Sequence, residues 1–283
     1  MTADAGASPP FEEFADAYEN GGAVVWARRV SDLETPVSAL LKLGADKPGT
    51  FLLESVQGGD FRGRFSIIGL KPDLVWRVRN GQAELSFGNF LRFKPHRAVG
   101  HGQLAPLDSL REVLRMSALK LPPHLPPPAA GVFGYLGYDM VRFIERLPDK
   151  ADDPLGTPEA LLVRPTVVAV FDNVTSEVTL VTPARKTPEQ NAEDAYDAAL
   201  ARLARVSAAL DRPLPRRRAV DEEQSSVAPA SNTTPEEYRA LVRKCQDYAR
   251  AGDVFQVVPS QRFSAPFAAS PFALYRSLRR LNP

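Results

Sequence analysis

Two hairpin-forming stretches constrain the fold of this chain more than any other feature. Residues 74–87 alternate apolar and polar side chains on both sides of Asn80-Gly81, a dipeptide typical of two-residue hairpin turns. Residues 166–181, TVVAVFDNVTSEVTLV, form a second hairpin pattern that turns near Asp172. Because hairpins join antiparallel strands, these patterns favour an α+β protein with antiparallel sheets over a doubly wound parallel sheet.

Helical spacing occurs between and after the hairpins. The helical segments are residues 11–19, 35–43, 107–119 and 188–210, and residues 23–30 and 51–55 are predicted to be further strands. Residues 211–232 then combine prolines and charged side chains with little apolar content, which is typical of a solvated linker. We therefore predict an N-terminal region over residues 1–210, a linker over 211–232 and a further region over 233–283.

The region after the linker begins with a helix signal. Thr234 and Glu237 have the spacing of a capping box, and Gly252 is predicted to end the helix. Residues 253–264, DVFQVVPSQRFS, are predicted to form a strand. A further helix is predicted to begin at Pro271.

Composition excludes several classes of protein. The chain has 283 residues and a net charge of +1, so no overall field points to nucleic acid or to an anionic membrane. One cysteine, Cys245, excludes an internal disulfide framework and fits a reducing compartment. The N-terminal residues lack the features of a secretory signal, and no run approaches the ~18 apolar residues of a membrane helix. We expect a soluble, cytoplasmic protein.

Metal-binding and nucleophile motifs do not stand out. His96, His101 and His124 lie in stretches rich in proline or glycine, and none pairs with a cysteine at ligand spacing. The sequence contains neither a Walker loop nor a Gly-x-Ser-x-Gly elbow. We therefore expect no metal ligands in this chain.

Three glycines, Gly131, Gly134 and Gly137, repeat at every third residue in GVFGYLGYD. This spacing differs from that of the dinucleotide-binding fingerprint. We interpret the glycines as structural, because they allow an aromatic-rich strand to approach its neighbours closely.

Gln256 lies between Val254 and Val258 on one face of the predicted strand. An amide buried on such a face requires partners, since unpaired burial costs roughly 1–3 kcal/mol. Two interpretations remain open. The amide bonds the backbone of a neighbouring strand, or it reaches a substrate or an attacking water at the face of the sheet.

A polar set interrupts the apolar stretch FLLESVQGGDFRGRFSIIG. Glu54 and Ser55 follow the first predicted strand, and Arg64 and Ser66 begin the next apolar run. One interpretation is structural, with Ser55 capping a turn and Glu54 paired with Arg64. The other is a site for a zwitterionic amino acid, in which the carboxylate binds the ammonium group and hydroxyls bind the ligand's carboxylate.

Four motifs in order resemble those of anthranilate synthase component I. The similar segments are residues 52–55 with 63–69 (LLES and GRFSIIG, the effector motif), 131–142 (GVFGYLGYDMVR), 252–263 (GDVFQVVPSQRF, the opening of the chorismate region) and 281–283 (LNP). The resemblance implies an α+β fold in which two large antiparallel sheets stack into a sandwich with flanking helices.

The resemblance also implies a function in tryptophan biosynthesis. Proteins of this family are lyases that convert chorismate and ammonia to anthranilate and pyruvate with Mg²⁺. They receive ammonia from a glutamine amidotransferase subunit in a hetero-oligomer, and tryptophan inhibits them.

Site residues follow from the resemblance by position. Ser55 matches the motif serine that contacts tryptophan, with Glu54 beside it, and Arg64 and Ser66 are further candidates for the effector pocket. Gln256 matches a position that faces the chorismate site.

The sequence departs from the family in one respect. The family's Mg²⁺ carboxylates, catalytic histidine and further tryptophan contacts belong to a second half that these residues do not include. We therefore expect a fragment that is inactive and prone to aggregation by itself. Two alternatives remain: aminodeoxychorismate synthase component I, from the folate pathway, and a non-catalytic module that senses tryptophan or docks the amidotransferase.

Overall fold

The computed structural model of the chain describes residues 6–54, 63–88, 90, 92–97, 102–148, 152–215 and 228–281. The chain divides into two compact units, Met1–Pro215 and Arg216–Pro283. Among the described residues, no helix combines the length and the apolar character that crossing a bilayer requires.

An eight-stranded antiparallel sheet forms the centre of the first unit. Its strands are β1 (Gly22–Val30), β2 (Phe51–Leu53), β3 (Phe65–Arg79), β4 (Gln82–Phe87), β5 (Lys94–Pro95), β6 (Phe133–Leu136), β7 (Ala160–Asp172) and β8 (Glu177–Arg185). The order is β1-β8-β7-β3-β4-β5, with β2 beside the start of β3 and β6 beside the start of β7.

Both predicted hairpins are confirmed. β3 and β4 turn at Asn80 and Gly81, whose φ angles of 51° and 73° are the positive values that a tight hairpin of this kind requires. β7 and β8 form the second hairpin, in which Asp172 pairs with Glu177 at the turn.

Helices cover both faces of the sheet. They are α1 (Phe11–Glu19), α2 (Pro36–Leu43), α3 (Pro106–Ser117) and α4 (Ala192–Leu210). On β8, Thr182 bonds the carbonyl of Ala199 in α4, whereas Val181 packs against Leu125 and Ala129. Because successive strand residues point to opposite faces, α4 and the segment 121–129 lie on opposite sides of the sheet.

Helix α3 is joined to the sheet by a buried hydrogen-bonded set. The indole Nε1 of Trp76, a fully buried side chain, donates to Ser109 Oγ at 2.8 Å, and Ser109 Oγ lies 2.7 Å from His96 Nδ1. Besides accepting from Trp76, the Ser109 hydroxyl can donate its own proton to His96 Nδ1 or accept one from it, depending on the histidine tautomer. Burial lowers the pKa of His96 below its ordinary value, with a smaller opposing effect from Glu112.

Sequence and structure differ at the start of α4. The predicted helix began at residue 188, but the side chain of Asn191 accepts a hydrogen bond from the backbone N–H of Asp194 at 2.8 Å. Asn191 is therefore the N-cap, and the helix begins at Ala192.

The second unit contains two helices and a short ribbon, namely α5 (Pro235–Ala251), α6 (Pro271–Leu281), β9 (Ala230–Ser231) and β10 (Phe263–Ser264). The capping box is confirmed, because Glu237 N donates to Thr234 Oγ1 at 3.2 Å and Thr234 N donates to Glu237 Oε2 at 2.8 Å. Helix α5 ends before Gly252, as predicted.

The predicted strand over residues 253–264 is wrong except at its end. Only Phe263 and Ser264 pair, with Ser231 and Ala230 of β9. A strand is completed by hydrogen bonds to a neighbour, and Pro259 lacks the N–H that such bonding requires. Residues 253–262 are irregular, and Phe255 is fully exposed.

The α+β class with an antiparallel sheet is confirmed. The resemblance implied two large stacked sheets, and within the described ranges one sheet has eight strands and the other, β9-β10, has two. Residues 216–227 of the predicted linker lie outside the described residues, so the linker stays a prediction.

Candidate effector and substrate sites

The segment that resembles an effector motif lies where β2 meets the start of β3. Leu53, the last residue of β2, pairs with Ile67 of β3, and Glu54 follows directly. Ser55 lies outside the described residues, so its assignment stays a prediction.

Arg64 is bound by an aspartate of the second hairpin. Its Nε and Nη2 donate to Asp172 Oδ2 at 2.9 and 2.6 Å, and its guanidinium lies 5.0 Å from the ring of Phe65. Asp172 Oδ1 also accepts from the backbone N–H of Val174 at 3.0 Å. The structural interpretation that paired Arg64 with Glu54 missed this partner from β7.

These hydrogen bonds determine the charge of Asp172. Partial burial opposes ionisation of the carboxyl, but the bonds from Arg64 and from the backbone N–H groups of Val174 and Thr175 lower its pKa overall. Asp172 is therefore a carboxylate at neutral pH and a fixed negative charge beside Arg64.

A pocket of about 270 Å³ opens beside this ion pair. Its polar lining comes from Arg28, Arg64, His124, Asp172, Glu177 and Thr179, and its apolar wall includes Phe65 and Leu125. We call it the Arg64 pocket. Its volume is close to the lower end of the roughly 300–1,000 Å³ of small-molecule sites. The convergence of cations, carboxylates and apolar side chains suits a small zwitterion with an apolar body.

Neighbouring strands bring the other lining residues to Arg64. Arg28 of β1 lies directly opposite Thr179 of β8, and Asp172 lies opposite Glu177. Arg28, Thr179 and Glu177 were not predicted as site residues, because nothing local in the sequence indicates that β1 pairs with β8. His124 was noted only as a histidine, and it packs on Trp26 at 4.9 Å between ring centroids.

Ser66 lies on the other side of the sheet from the Arg64 pocket. In β3, Phe65 lines the pocket, and the next residue, Ser66, points to the opposite face, where it is 2% exposed. Of the four candidates, the structure thus places Arg64 in the pocket and separates Ser66 from it.

Close backbone approach accounts for two of the three spaced glycines. A Cβ on Gly134, which has φ 154°, would lie 1.9 Å from the carbonyl oxygen of Leu161, and one on Gly137 would lie 2.8 Å from that of Glu159. The structural interpretation is confirmed for these two, which bring β6 against β7. Gly131 faces open space instead.

A glycine also shapes the segment that resembles an effector motif. Gly69 of β3 pairs with Phe51 of β2, and a Cβ at Gly69 would lie 2.1 Å from the Phe51 ring. The ring lies over the glycine and contacts Phe133 of β6 at 4.9 Å between centroids. The absence of a side chain at Gly69 therefore lets an aromatic residue cover the start of β3.

Gln256 does not lie on a strand. It is exposed in the irregular segment between α5 and β10, so the interpretation as an amide buried on a sheet face is wrong. Its proximity to a chorismate site stays a prediction.

The described residues contain no cluster of metal-ligating side chains. Among them, no group of three or more histidine, cysteine, aspartate or glutamate side chains is placed to hold a metal ion. Mg²⁺ in proteins is usually held by one or two carboxylates together with waters and substrate oxygens.

Comparisons with known proteins identify the class. Residues 61–283 match the family described as chorismate binding enzyme, and the chain belongs to this family. Anthranilate synthase component 1 of Cereibacter sphaeroides is 46% identical over 275 residues, which are 96% of this chain and 54% of that protein. The protein of the same name from Thermus thermophilus is 41% identical over 256 residues, covering 90% of this chain and 50% of the relative.

A solved structure is similar as well. The crystal structure of anthranilate synthase component I from Streptococcus pneumoniae has a TM-score of 0.61 and 27% sequence identity, covering 90% of this chain and 52% of that one. The chain thus spans about half the length of the relatives it matches.

Proposed function

We propose that this chain provides the N-terminal part of an anthranilate synthase component I. The proposed reaction converts chorismate and ammonia to anthranilate and pyruvate in tryptophan biosynthesis, as a lyase. The observation that supports it is the similarity of nearly the whole chain to proteins of that name, together with the effector motif at β2 and β3. Ammonia is proposed to come from a glutamine amidotransferase subunit in a hetero-oligomer.

The proposed role of the first unit is regulatory. Tryptophan has an ammonium group, a carboxylate and an apolar ring, and the Arg64 pocket offers a partner for each. In this proposal Arg28 or Arg64 binds the carboxylate, Glu177 binds the ammonium group, and the ring lies against Phe65. Glu54 and Ser55 are proposed to complete the effector site at the end of β2. Ser66, buried on the opposite face, would act only through the packing of β3.

The catalytic role of this chain is proposed to be incomplete. The chain spans about half the length of its relatives, and we propose that Mg²⁺ and its ligands belong to the other half. Gln256 is proposed to face chorismate once the irregular segment around it has packed against that further part. We therefore propose that the 283 residues alone do not form anthranilate.

The test is to express the complete reading frame that contains these residues and to assay it with chorismate, ammonia and Mg²⁺. We expect anthranilate, detected by its fluorescence, and inhibition by tryptophan. The 283-residue chain in the same assay should give no product. Formation of aminodeoxychorismate would replace this proposal with the folate-pathway activity. Tryptophan binding without turnover by the complete protein would favour the non-catalytic module.

Substitution of Ser55 tests the regulatory part separately. In the complete protein, Ser55→Phe should weaken tryptophan inhibition and leave turnover largely intact, because the added ring occupies effector space. Arg64→Gln should have the same direction of effect if Arg64 binds the effector. Equal loss of turnover and inhibition in Ser55→Phe would instead indicate a folding role.

A further inference from the structure

A second pocket, of about 290 Å³, lies between α2, α4 and β3 in the first unit. Its rim includes five cationic side chains, from Lys42, Lys47, Lys71, Arg205 and Arg212, and its apolar lining includes Leu43, Leu70 and Val206. We call it the cationic pocket. It lies on the α4 side of the sheet, whereas the Arg64 pocket is lined by the segment around Leu125 on the opposite side.

The charges of this pocket are poorly compensated. The whole chain has a net charge of only +1, and none of the residues that line the pocket is acidic. Glu34 binds Lys42, and the neighbouring Asp211 is engaged by Arg29. Within the described residues, the other four cations of the rim form no ion pair.

Helix dipoles explain only part of this arrangement. Helices α2 and α4 both end at the pocket, and the carbonyl oxygens at a helix C-terminus attract cations. Lys42 Nζ indeed donates to the carbonyl of Leu210 at 2.9 Å. Lys71, however, comes from a strand, where no helix end accounts for its charge.

Lys71 occupies an unusual backbone conformation. Its φ of 47° lies in the left-handed region, which residues other than glycine rarely adopt. The register of β3 against β7 shifts between Pro72 and Leu74, and Thr166 Oγ1 donates to the Lys71 carbonyl at 2.8 Å. Irregularities of this kind redirect side chains and are often found at binding sites. Here the irregularity places Lys71 and its neighbour Leu70 on the same pocket.

We propose that the cationic pocket binds a small organic anion with at least two negative charges, a phosphate ester or a dicarboxylate. Ammonium and guanidinium groups of Lys47, Lys71, Arg205 and Arg212 bind the anionic groups. The apolar part of the ligand lies on Leu43, Leu70 and Val206. This site goes beyond the function proposed above and does not depend on it.

Size and shape favour a small molecule over an acidic peptide. The volume is near the lower end of the roughly 300–1,000 Å³ of small-molecule sites, and apolar side chains form part of its wall. An extended acidic peptide would leave those apolar side chains uncovered. The occupant is therefore a compact anion.

Binding can be measured on the protein expressed from the complete reading frame that contains these residues, by thermal shift and calorimetry at low ionic strength, where charges are least screened. The probes are inorganic pyrophosphate and malonate, which separate a phosphate preference from a carboxylate preference. We expect a saturable rise of the melting temperature with at least one probe. No saturable rise with either probe, or binding of an Asp-Glu peptide in preference to both, would overturn the proposal.

A matched pair of double variants tests the location of the site. Lys71→Asn with Arg205→Gln should weaken binding about tenfold or more, because two charge-assisted contacts are lost. Lys120→Gln with Arg146→Gln removes the same charge at exposed positions outside the pocket and should change the dissociation constant less than about twofold. Equal weakening by both variants would show a general charge effect and would contradict the site.

The single variant Lys71→Asn separates binding from folding. Asparagine tolerates the left-handed conformation better than lysine, so the melting temperature without ligand should stay the same or rise. Binding should nevertheless weaken. A fall in the ligand-free melting temperature would indicate that Lys71 is structural, and unchanged binding would remove Lys71 from the site.

Discussion

The two units obey the same local rules but differ in what covers their elements. Helix α2 and helix α5 both begin with a capping box, built by Thr35 with Ser38 and by Thr234 with Glu237. Helix α2 then buries Ala39, Leu40 and Leu43, whereas none of the residues of α5 or α6 is buried. Capping and amphipathic spacing therefore specify a helix without providing it with a core.

The contrast extends to aromatic side chains. In the first unit, Phe14, Tyr18 and Trp76 are fully buried. In the second, Phe255 is fully exposed and Tyr248 is 43% exposed on an otherwise amphipathic helix. Most tertiary stability comes from burying such groups, so we expect the first unit to hold nearly all of the cooperative stability of the chain.

The largest expected effect comes from emptying the core of the first unit. Trp76→Ala removes a fully buried indole and its hydrogen bond to Ser109, and should lower the free energy of unfolding by about 3–5 kcal/mol. Urea unfolding followed by near-UV circular dichroism measures this change.

The matched substitution in the second unit is Phe255→Ala. Because that ring is fully exposed, the free energy of unfolding should change by no more than about 0.5 kcal/mol. A comparable loss of unfolding free energy in both variants would mean that the second unit depends on side-chain packing as much as the first unit does.

Removal of the caps should give smaller and different effects in the two units. Thr35→Ala should lower the stability of the first unit by about 1 kcal/mol, since α2 is packed into its core. Thr234→Ala should instead increase amide hydrogen exchange within α5 and leave the unfolding of the first unit unchanged. Parallel exchange measurements on both variants test this, and a shift of the main unfolding transition by Thr234→Ala would contradict it.

As the pH is lowered, the first unit should lose stability at a higher pH than α5 does. Because burial holds the pKa of His96 below its ordinary 6.5, the unfolded chain takes up this proton more readily than the folded one. The associated stability is present above pH 6.5 and is lost as the pH falls below it. The cap residue Glu237 has a pKa below its ordinary 4.5, because the N–H and the hydroxyl of Thr234 both donate to its carboxylate. The capping box of α5 should therefore be protonated only at a lower pH than His96.

Melting curves between pH 7.5 and 5.5 check this order. The melting temperature of the first unit should decrease as the pH is lowered, while the helicity of α5 stays constant. His96→Gln should reduce the pH dependence, whereas His124→Gln, at an exposed position, serves as the control. An unchanged pH profile in His96→Gln would show that this histidine is not the group that titrates.

A small effect is also expected for the ion pair at the Arg64 pocket. Arg64 is 42% exposed, so solvent screens the ion pair and Arg64→Gln should lower the stability far less than Trp76→Ala. Chemical unfolding of the first unit measures it. A loss as large as that in Trp76→Ala would identify Arg64 as a structural residue and would weaken its proposed role in binding.

Local signals in the sequence determined much of the secondary structure. Asn80-Gly81 produced the β3–β4 turn, and Thr234 with Glu237 fixed the start of α5, because these contacts join residues within three positions of each other. The α+β class followed from the two hairpins in the same way. The motif glycines could also be interpreted from the sequence, since Gly134 and Gly137 meet the backbone of β7.

Only the tertiary structure decided which strands and side chains meet. The pairing of β1 with β8 brings Arg28 opposite Thr179. Arg64 binds Asp172 and not Glu54, the partner suggested by the sequence because it is nearer along the chain. The segment around Gln256 has an apolar strand pattern, yet it remains irregular because a strand also requires a partner. Turns and caps are encoded by neighbours in the chain, whereas sheet edges, pockets and ion pairs depend on residues far apart, whose meeting is selected by packing of the whole unit.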